Sequence, residues 1–350
     1  MTEKIPGLDL ERLLPWFQAK VAPVQSLSGE LIGHGRSNLT YRVSGDGTSW
    51  VLRRPPLAHV LPTAHDMRRE FRVLSAMVST DVPAPRPFAL CEDTAVNDAP
   101  FYVMEYVEGF VPADAAELAR RYDESQRAMM SRDLIDTLVK LHALDPAAVG
   151  LADFGKPAGF IERQVRRFMD QLDRSRTREL PELDELARRL KASIPPESGA
   201  AIVHGDYRLD NCILDAEGHI AAVLDWEMAT LGDPLADVGM LMMYWADRSG
   251  GGPEARALPG NGATSLPGML SKDEARERYA RLSGRDLSNL DFYVALAYFK
   301  LAVILEGIQA RYLQGGTVGA GFETIGGQVL VLTRGGLQVA DNSTIATLRG

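Results

Sequence analysis

Near the start of the chain the apolar side chains Leu10, Leu13, Leu14 and Phe17 follow the i, i+3, i+4, i+7 spacing that places them on one stripe of a helix. The pattern predicts a helix over 8–20. Three strand-like stretches follow, Val24–Ile32, Leu39–Ser44 and Thr48–Arg53, and Gly45-Asp46-Gly47 between the last two is hairpin-turn chemistry. His65–Ser79 returns to a helical period through Met67, Phe71, Leu74 and Val78. After the stiff Val82-Pro83-Ala84-Pro85 turn, Pro87–Cys91 and Phe101–Val107 read as two more strands. Residues 1–107 thus predict a small antiparallel sheet with one crossing helix, behind a leading helix.

Past Gly109 the period lengthens. Helices are expected at Glu124–Leu144, Phe160–Asp173, Leu180–Ser193, Leu235–Trp245, Lys272–Leu282 and Ser288–Leu313. A hairpin-like unit, Ala201–Trp226, interrupts them with the short strands IVH, CIL and AAVLD. Asp247–Gly268, rich in glycine and proline without a period, reads as a mobile loop. The whole is an α+β chain of two domains, 1–107 and 108–350.

Composition narrows the classes. Hydrophobic residues make up 45% and charged residues 24%, ordinary globular usage. A net charge of −9 offers no footprint for nucleic acid. Cys91 and Cys212 form no metal-binding or disulfide pattern, which suits a reducing compartment. The opening MTEKIPGLDLERLLPW is no secretory signal, and the longest apolar run, Phe292–Phe299, stops at Lys300. A cytoplasmic protein without a membrane partner is expected.

The chemistry concentrates in HGDYRLDNCILD, His204–Asp215, followed by AAVLDWE, Ala221–Glu227. Asp206 and Asn211 are five apart, and Asp225 follows across a predicted hairpin. Phosphoryl transfer needs one carboxylate for the proton of the attacking hydroxyl, and an amide oxygen and a second carboxylate for the magnesium on the phosphates. Any one of the three alone would be read as a turn or cap residue; the joint spacing favours the site.

With GDPLADVG at Gly232–Gly239, this order of segments resembles the aminoglycoside phosphotransferase and choline kinase group of the protein-kinase-like superfamily. VLRRPP, HGDYRLDN and DWEMATLGDPLADVG most resemble the phosphotransferases related to the kinase-like region of acyl-CoA dehydrogenase fusion proteins. The resemblance spans about 25–310 and implies a bilobal fold, with a small antiparallel-sheet N-lobe and a mostly helical C-lobe. It implies ATP, with GTP as the alternative nucleotide, and Mg2+. Asp206 would be the catalytic base, within a catalytic loop 204–215. Asn211 and Asp225 would be magnesium ligands, with 221–239 as the metal segment. His204 and Asp237 would support the loop, Asp237 by tying its backbone. Glu227 would touch metal or water, or be a plain surface carboxylate.

Upstream, Gly33 and Gly35 in LIGHGRSNLTYRV would let backbone N–H groups approach phosphates. The resemblance places a lysine on the following strand, where this chain has Arg53. Glu70 on the crossing helix would be its ion-pair partner, and Arg54, on the opposite strand face, is expected to face solvent. Backbone at Glu105, Tyr106 and Val107 would meet an adenine edge, with Met104 behind it.

The implied partner is a small-molecule hydroxyl acceptor. Five acids against four bases between Asp286 and Gly350 do not favour a polycation, and six arginines between Arg163 and Arg178 would suit an anionic acceptor such as a hydroxyacyl-CoA, unless they are a solvated face. Two alternatives stay open: an aminoglycoside-type antibiotic kinase, and a catalytically silent nucleotide-binding module.

Overall fold

The computed structural model describes residues 5–32, 38–57, 66–112, 114–246, 262–315 and 321–350. The chain forms two compact units. The first comprises Met1–Gly109 with Ala221–Ala229, and the second Phe110–Ile220 with Thr230–Gly350. The stretch 221–239, expected as one segment of the second domain, is therefore divided between the two.

In the first unit α1 (Leu10–Lys20) precedes β1 (Ser28–Leu31), β2 (Leu39–Gly45), β3 (Thr48–Arg54), α2 (Met67–Met77), β4 (Pro87–Cys91), the single turn α3 (Thr94–Asn97) and β5 (Phe101–Glu105). The strands form one antiparallel sheet in the order β1-β2-β3-β5-β4. β2 and β3 are joined through Asp46 and Gly47, both with positive φ, 50° and 82°, and Gly45 pairs with Thr48. Such a two-residue turn matches the twist of its strands.

Alternation along β3 sorts its side chains onto two faces. Trp50 and Leu52 join Phe17 and Leu13 of α1 in one apolar core, and the Phe17 and Trp50 rings meet edge to face at 5.1 Å. Arg54 lies on this same face. It is buried, donating to the carbonyls of Gly7 at 2.8 Å and Asn97 at 3.0 Å, so its expected exposure is corrected: α1 and α3 cover the face that an isolated sheet would leave to water. Burial pulls its pKa down. On the other face Arg53 stands beside its cross-strand neighbour Tyr102, towards Glu70 of α2.

The second unit is mostly helical: α4 (Ala115–Arg121), α5 (Glu124–Ala143), α6 (Phe160–Ser175), α7 (Pro181–Ala192), α8 (Leu235–Tyr244), α9 (Lys272–Ser283), α10 (Leu290–Leu313), α11 (Ile325–Asn342) and the terminal turn α12 (Ala346–Arg349). Of its short strands, β6 (Ala201–Val203) pairs antiparallel with β9 (Thr230–Gly232), and β7 (Cys212–Leu214) leads into the Asp215–His219 turn, after which β8 (Ile220–Val223) carries the chain into the first unit. α8 and α10 approach closely at Gly239, where an added Cβ would lie 2.5 Å from the Tyr293 backbone.

α11 was not expected. Its sequence IGGQVLVLTRGGLQVADN carries four glycines, which lower helix propensity, yet Gly335 and Gly336 sit directly against Tyr298 of α10 and Leu186 of α7. Most of the expected loop 247–268, residues 247–261, lies outside the described residues; Ala263–Ser265 form a short 3-10 turn. Among the described residues no helix is long and apolar enough to cross a membrane.

Candidate active site

Two groups of polar side chains stand out, one in each unit. In the first, Arg53 is surrounded by carboxylates. Its Nη2 lies 2.5 Å from Asp225 Oδ1 and 3.5 Å from Glu227 Oε2, and its Nε is 2.9 Å from Glu70 Oε2. The Nε contact is an ion pair by proximity rather than an aligned hydrogen bond. Tyr102 donates its hydroxyl to Glu70 Oε2 at 2.9 Å, and Asn38 Nδ2 donates to Glu70 Oε1 at 2.7 Å and Glu227 Oε2 at 3.1 Å. Arg53 and Glu70 are thus neighbours, and Glu227 turns inward to the same cluster.

Three carboxylates around one guanidinium leave a surplus of negative charge. Burial opposes the Arg53 charge, but the field of Tyr102, Glu70, Asp225 and Glu227 outweighs it and pushes the pKa above the ordinary arginine value. Glu70 moves the other way for a carboxylate: burial raises it to about 7, helped by Glu227 and Asp225 and only partly countered by Arg53 and the Tyr102 hydroxyl.

Asp225 adopts a left-handed backbone, φ 64° and ψ 59°, at the entry to the 3-10 turn Trp226–Met228. A non-glycine residue there costs on the order of 1 kcal/mol, and such strain clusters at functional sites. Buried Trp226, whose Nε1 donates to the Val223 carbonyl at 2.9 Å, locks the turn.

In the second unit the chain leaves β6 directly into His204-Gly205-Asp206. Asp237, in the first turn of α8, accepts the His204 N–H on Oδ2 at 2.6 Å and the Gly205 N–H on Oδ1 at 2.7 Å. His142 Nε2 reaches Asp237 Oδ2 at 3.2 Å, and its Nδ1 meets the Tyr279 hydroxyl at 2.8 Å. Although burial works against the Asp237 charge, His142 and His204 outweigh it and bring the pKa below the usual aspartate value. An ionised Asp237 requires the proton of that contact to sit on His142 Nε2.

Asn211 Nδ2 donates to the Asp206 carbonyl at 2.9 Å and to Asp206 Oδ2 at 3.0 Å; Arg208 Nε adds a longer contact to Oδ2 at 3.3 Å. Arg208 also pairs with Asp210 and lies over the Tyr244 ring. Among the described residues no hydrogen bond reaches Asp206 Oδ1, so the carboxylate is anchored by one oxygen and can accept a proton on the other. Because the Asn211 amide nitrogen is committed, its oxygen is the atom left for a cation. The Asn211 amide oxygen in the second unit and the Asp225 carboxylate in the first are each oxygen donors of the type Mg2+ takes.

The remaining expected contacts are mixed. Gly33 and Gly35 lie outside the described residues. Met104 is buried in β5 opposite Val51. The Glu105 N–H is committed to the Arg86 carbonyl at 2.8 Å, and Arg42 covers the Tyr106 ring. Asn38, Tyr102, His142, Arg208 and Lys300 were missed as members of these groups. Only Lys300 carried a signal, as the charge that ends an apolar helical run.

A small antiparallel sheet crossed by α2, followed by a helical unit holding an Asp-x4-Asn loop, defines a protein-kinase-like fold. The phosphotransferase enzyme family model matches residues 28–292, and the chain belongs to that family. It is 32% identical over 346 residues to acyl-CoA dehydrogenase family member 11 of Gallus gallus, covering 97% of this chain and 43% of that protein. It is 35% identical over 285 residues to acyl-CoA dehydrogenase family member 10 of Mus musculus, covering 81% and 26%. The chain spans less than half the length of these curated relatives. Among solved structures, a protein from Ralstonia eutropha described as a candidate aminoglycoside phosphotransferase superposes with a TM-score of 0.81 at 32% identity, covering 96% of this chain and 99% of that one. A choline/ethanolamine kinase family protein from Mesorhizobium loti, with a TM-score of 0.58, 15% identity and 97% of each chain covered, shares the fold.

Proposed function

We propose that this chain is a small-molecule kinase that moves the γ-phosphoryl group of ATP to a hydroxyl of an acidic metabolite, of which a hydroxyacyl-CoA is the leading candidate. The observation that carries the kinase reading is the singly anchored Asp206 carboxylate. In the proposed reaction the acceptor oxygen forms the new O–P bond, the bond from the γ-phosphorus to the bridging oxygen breaks, and ADP leaves. The hydroxyl proton passes to Asp206 Oδ1, while Asn211 and Arg208 hold Oδ2. Mg2+, held through Asn211 and Asp225, would neutralise charge on the phosphates.

The acidic acceptor is supported by which arginines are committed. Arg163 caps its own loop, Arg174 bonds the Asp170 carbonyl, Arg176 pairs with Asp184, and Arg178 reaches Glu306 and the Gly326 carbonyl. Arg166 and Arg167 are exposed and, among the described residues, have no carboxylate partner, which leaves them to an anionic ligand. The curated relatives' names point to the same acyl-CoA chemistry.

ADP release and product mass, measured with Mg-ATP across hydroxyacyl-CoA, free hydroxy acids, aminoglycosides, choline and sugars, test this. The highest kcat/KM is expected for hydroxyacyl-CoA, and Arg166→Glu with Arg167→Glu should raise its KM. A higher kcat/KM for a kanamycin-like compound would replace the acceptor. A silent nucleotide-binding module is the second reading, favoured by Arg53 in the lysine position bound to Asp225; nucleotide binding without transfer to any acceptor would establish it.

A further inference from the structure

Lys300 ends the apolar run of α10, where an ammonium is expensive to bury. Its Nζ donates to the Gly205 carbonyl at 2.8 Å. Burial pulls the Lys300 pKa down, against the opposing pull of Asp206 and Asp237. The same Gly205 gives its N–H to Asp237 Oδ1 at 2.7 Å, so this peptide segment is held on both sides by opposite charges from two helices. Gly205 has φ 86°, a left-handed conformation that leaves no side chain to pin it. Asp206 is the next residue, and among the described residues its own N–H makes one long contact, to His204 Nδ1 at 3.3 Å.

We infer that Lys300 is a positioning residue for the base: by fixing the Gly205 carbonyl it sets the backbone from which Asp206 presents Oδ1. This rests on the proposed role of Asp206. Asp237 alone would hold the N–H side and leave the Gly205–Asp206 peptide plane with the long Asp206 N–H contact to His204 Nδ1 as its tether. Displacement of a reacting group by about 1 Å can cost on the order of 100-fold in rate while leaving ligand contacts intact.

The test compares Lys300→Met, which keeps the length and loses the donor, with Lys300→Arg, which keeps charge and donors. Each is measured for kcat, for KM of Mg-ATP and the acceptor, for thermal midpoint, and for hydrogen exchange of the peptide spanning 202–211. For Lys300→Met we expect kcat to fall about 10- to 100-fold, both KM values to stay within about twofold of wild type, and faster exchange confined to 202–211. Lys300→Arg should recover most of the lost kcat. Wild-type kcat and exchange in Lys300→Met would overturn the inference. So would a fall in kcat matched by a loss of folded protein and not recovered in Lys300→Arg. If the wild-type chain transfers phosphoryl to no acceptor while Lys300→Met still loosens 202–211, the proposed function fails and the tether stands as structure alone.

Discussion

Arg53 Nη2 and Asp225 Oδ1 lie 2.5 Å apart across 172 positions of sequence. Where the resemblance implies a lysine, Arg53 holds the carboxylate proposed for magnesium and also pairs with Glu70. Arginine suits this place because a planar fork can serve two carboxylates at once, which a lysine ammonium does less well.

Arg53→Met should cost about 3 kcal/mol in urea unfolding at pH 8, since it leaves Glu70, Asp225 and Glu227 facing one another without a cation. Arg53→Lys should lose less. The Met variant should recover part of the loss at pH 5, where Glu70 takes up a proton. A loss below about 1 kcal/mol would show that the cluster contributes little.

Glu70 gives stability a pH slope of known sign. Its pKa rises from an ordinary 4.5 to about 7 in the folded chain. Between those values the native state binds more protons than the unfolded one, so the Glu70 contribution falls as pH rises through this window, by about 3 kcal/mol in all. Glu70→Gln should flatten the slope between pH 5 and 7; an unchanged slope would remove Glu70 as its source.

Asp237 acts in the opposite sense. Its pKa is depressed, so its contribution is present above the ordinary value of 3.8 and is lost as pH falls through the lower folded value. Asp237→Asn would turn an amide N–H towards one of the two backbone N–H groups it now accepts, at a cost of about 2 kcal/mol. Denaturation at pH 7 and below pH 4 should show that loss at the higher pH and a smaller one at the lower.

Asp206→Asn should leave Mg-nucleotide affinity within about threefold and lower kcat by about 100-fold or more, because a general base is not needed to hold ATP. Calorimetry and turnover on the same preparation separate the two effects. Near-normal turnover would take Asp206 out of the base role.

Gly336→Val should destabilise the second unit by about 2 kcal/mol. An added Cβ there lies 2.6 Å from Leu186 Cδ2 and 3.1 Å from Tyr298 Cβ, inside two neighbouring helices. Gly327→Ala, with nothing within 4 Å, should be neutral or slightly stabilising by the same thermal measurement.

That contrast also explains what the sequence could tell. The β2–β3 hairpin was legible because Asp46-Gly47 announces its turn locally, and Asp206 and Asn211 because their spacing is itself the signal. α11 was not, because its glycines read as breaks until Tyr298 and Leu186 show why they are small. Arg54 was misread because alternation tells which face a side chain takes and not what covers that face. Lys300 was visible as a charge after an apolar run, but its partner, a backbone carbonyl, leaves no mark in a sequence.

Because Ala221–Ala229 belongs to the first unit while both its flanks belong to the second, no single cut in the chain separates the two. A fragment ending at Gly109 would keep Arg53 and Glu70 but surrender Asp225, Trp226 and Glu227. The complementary fragment would carry those three as a loop removed from its own framework. The Asp206 loop and the carboxylate partners of Arg53 are thus inherited as one indivisible stretch, and a gene fusion that borrows the loop with its flanks borrows those partners too.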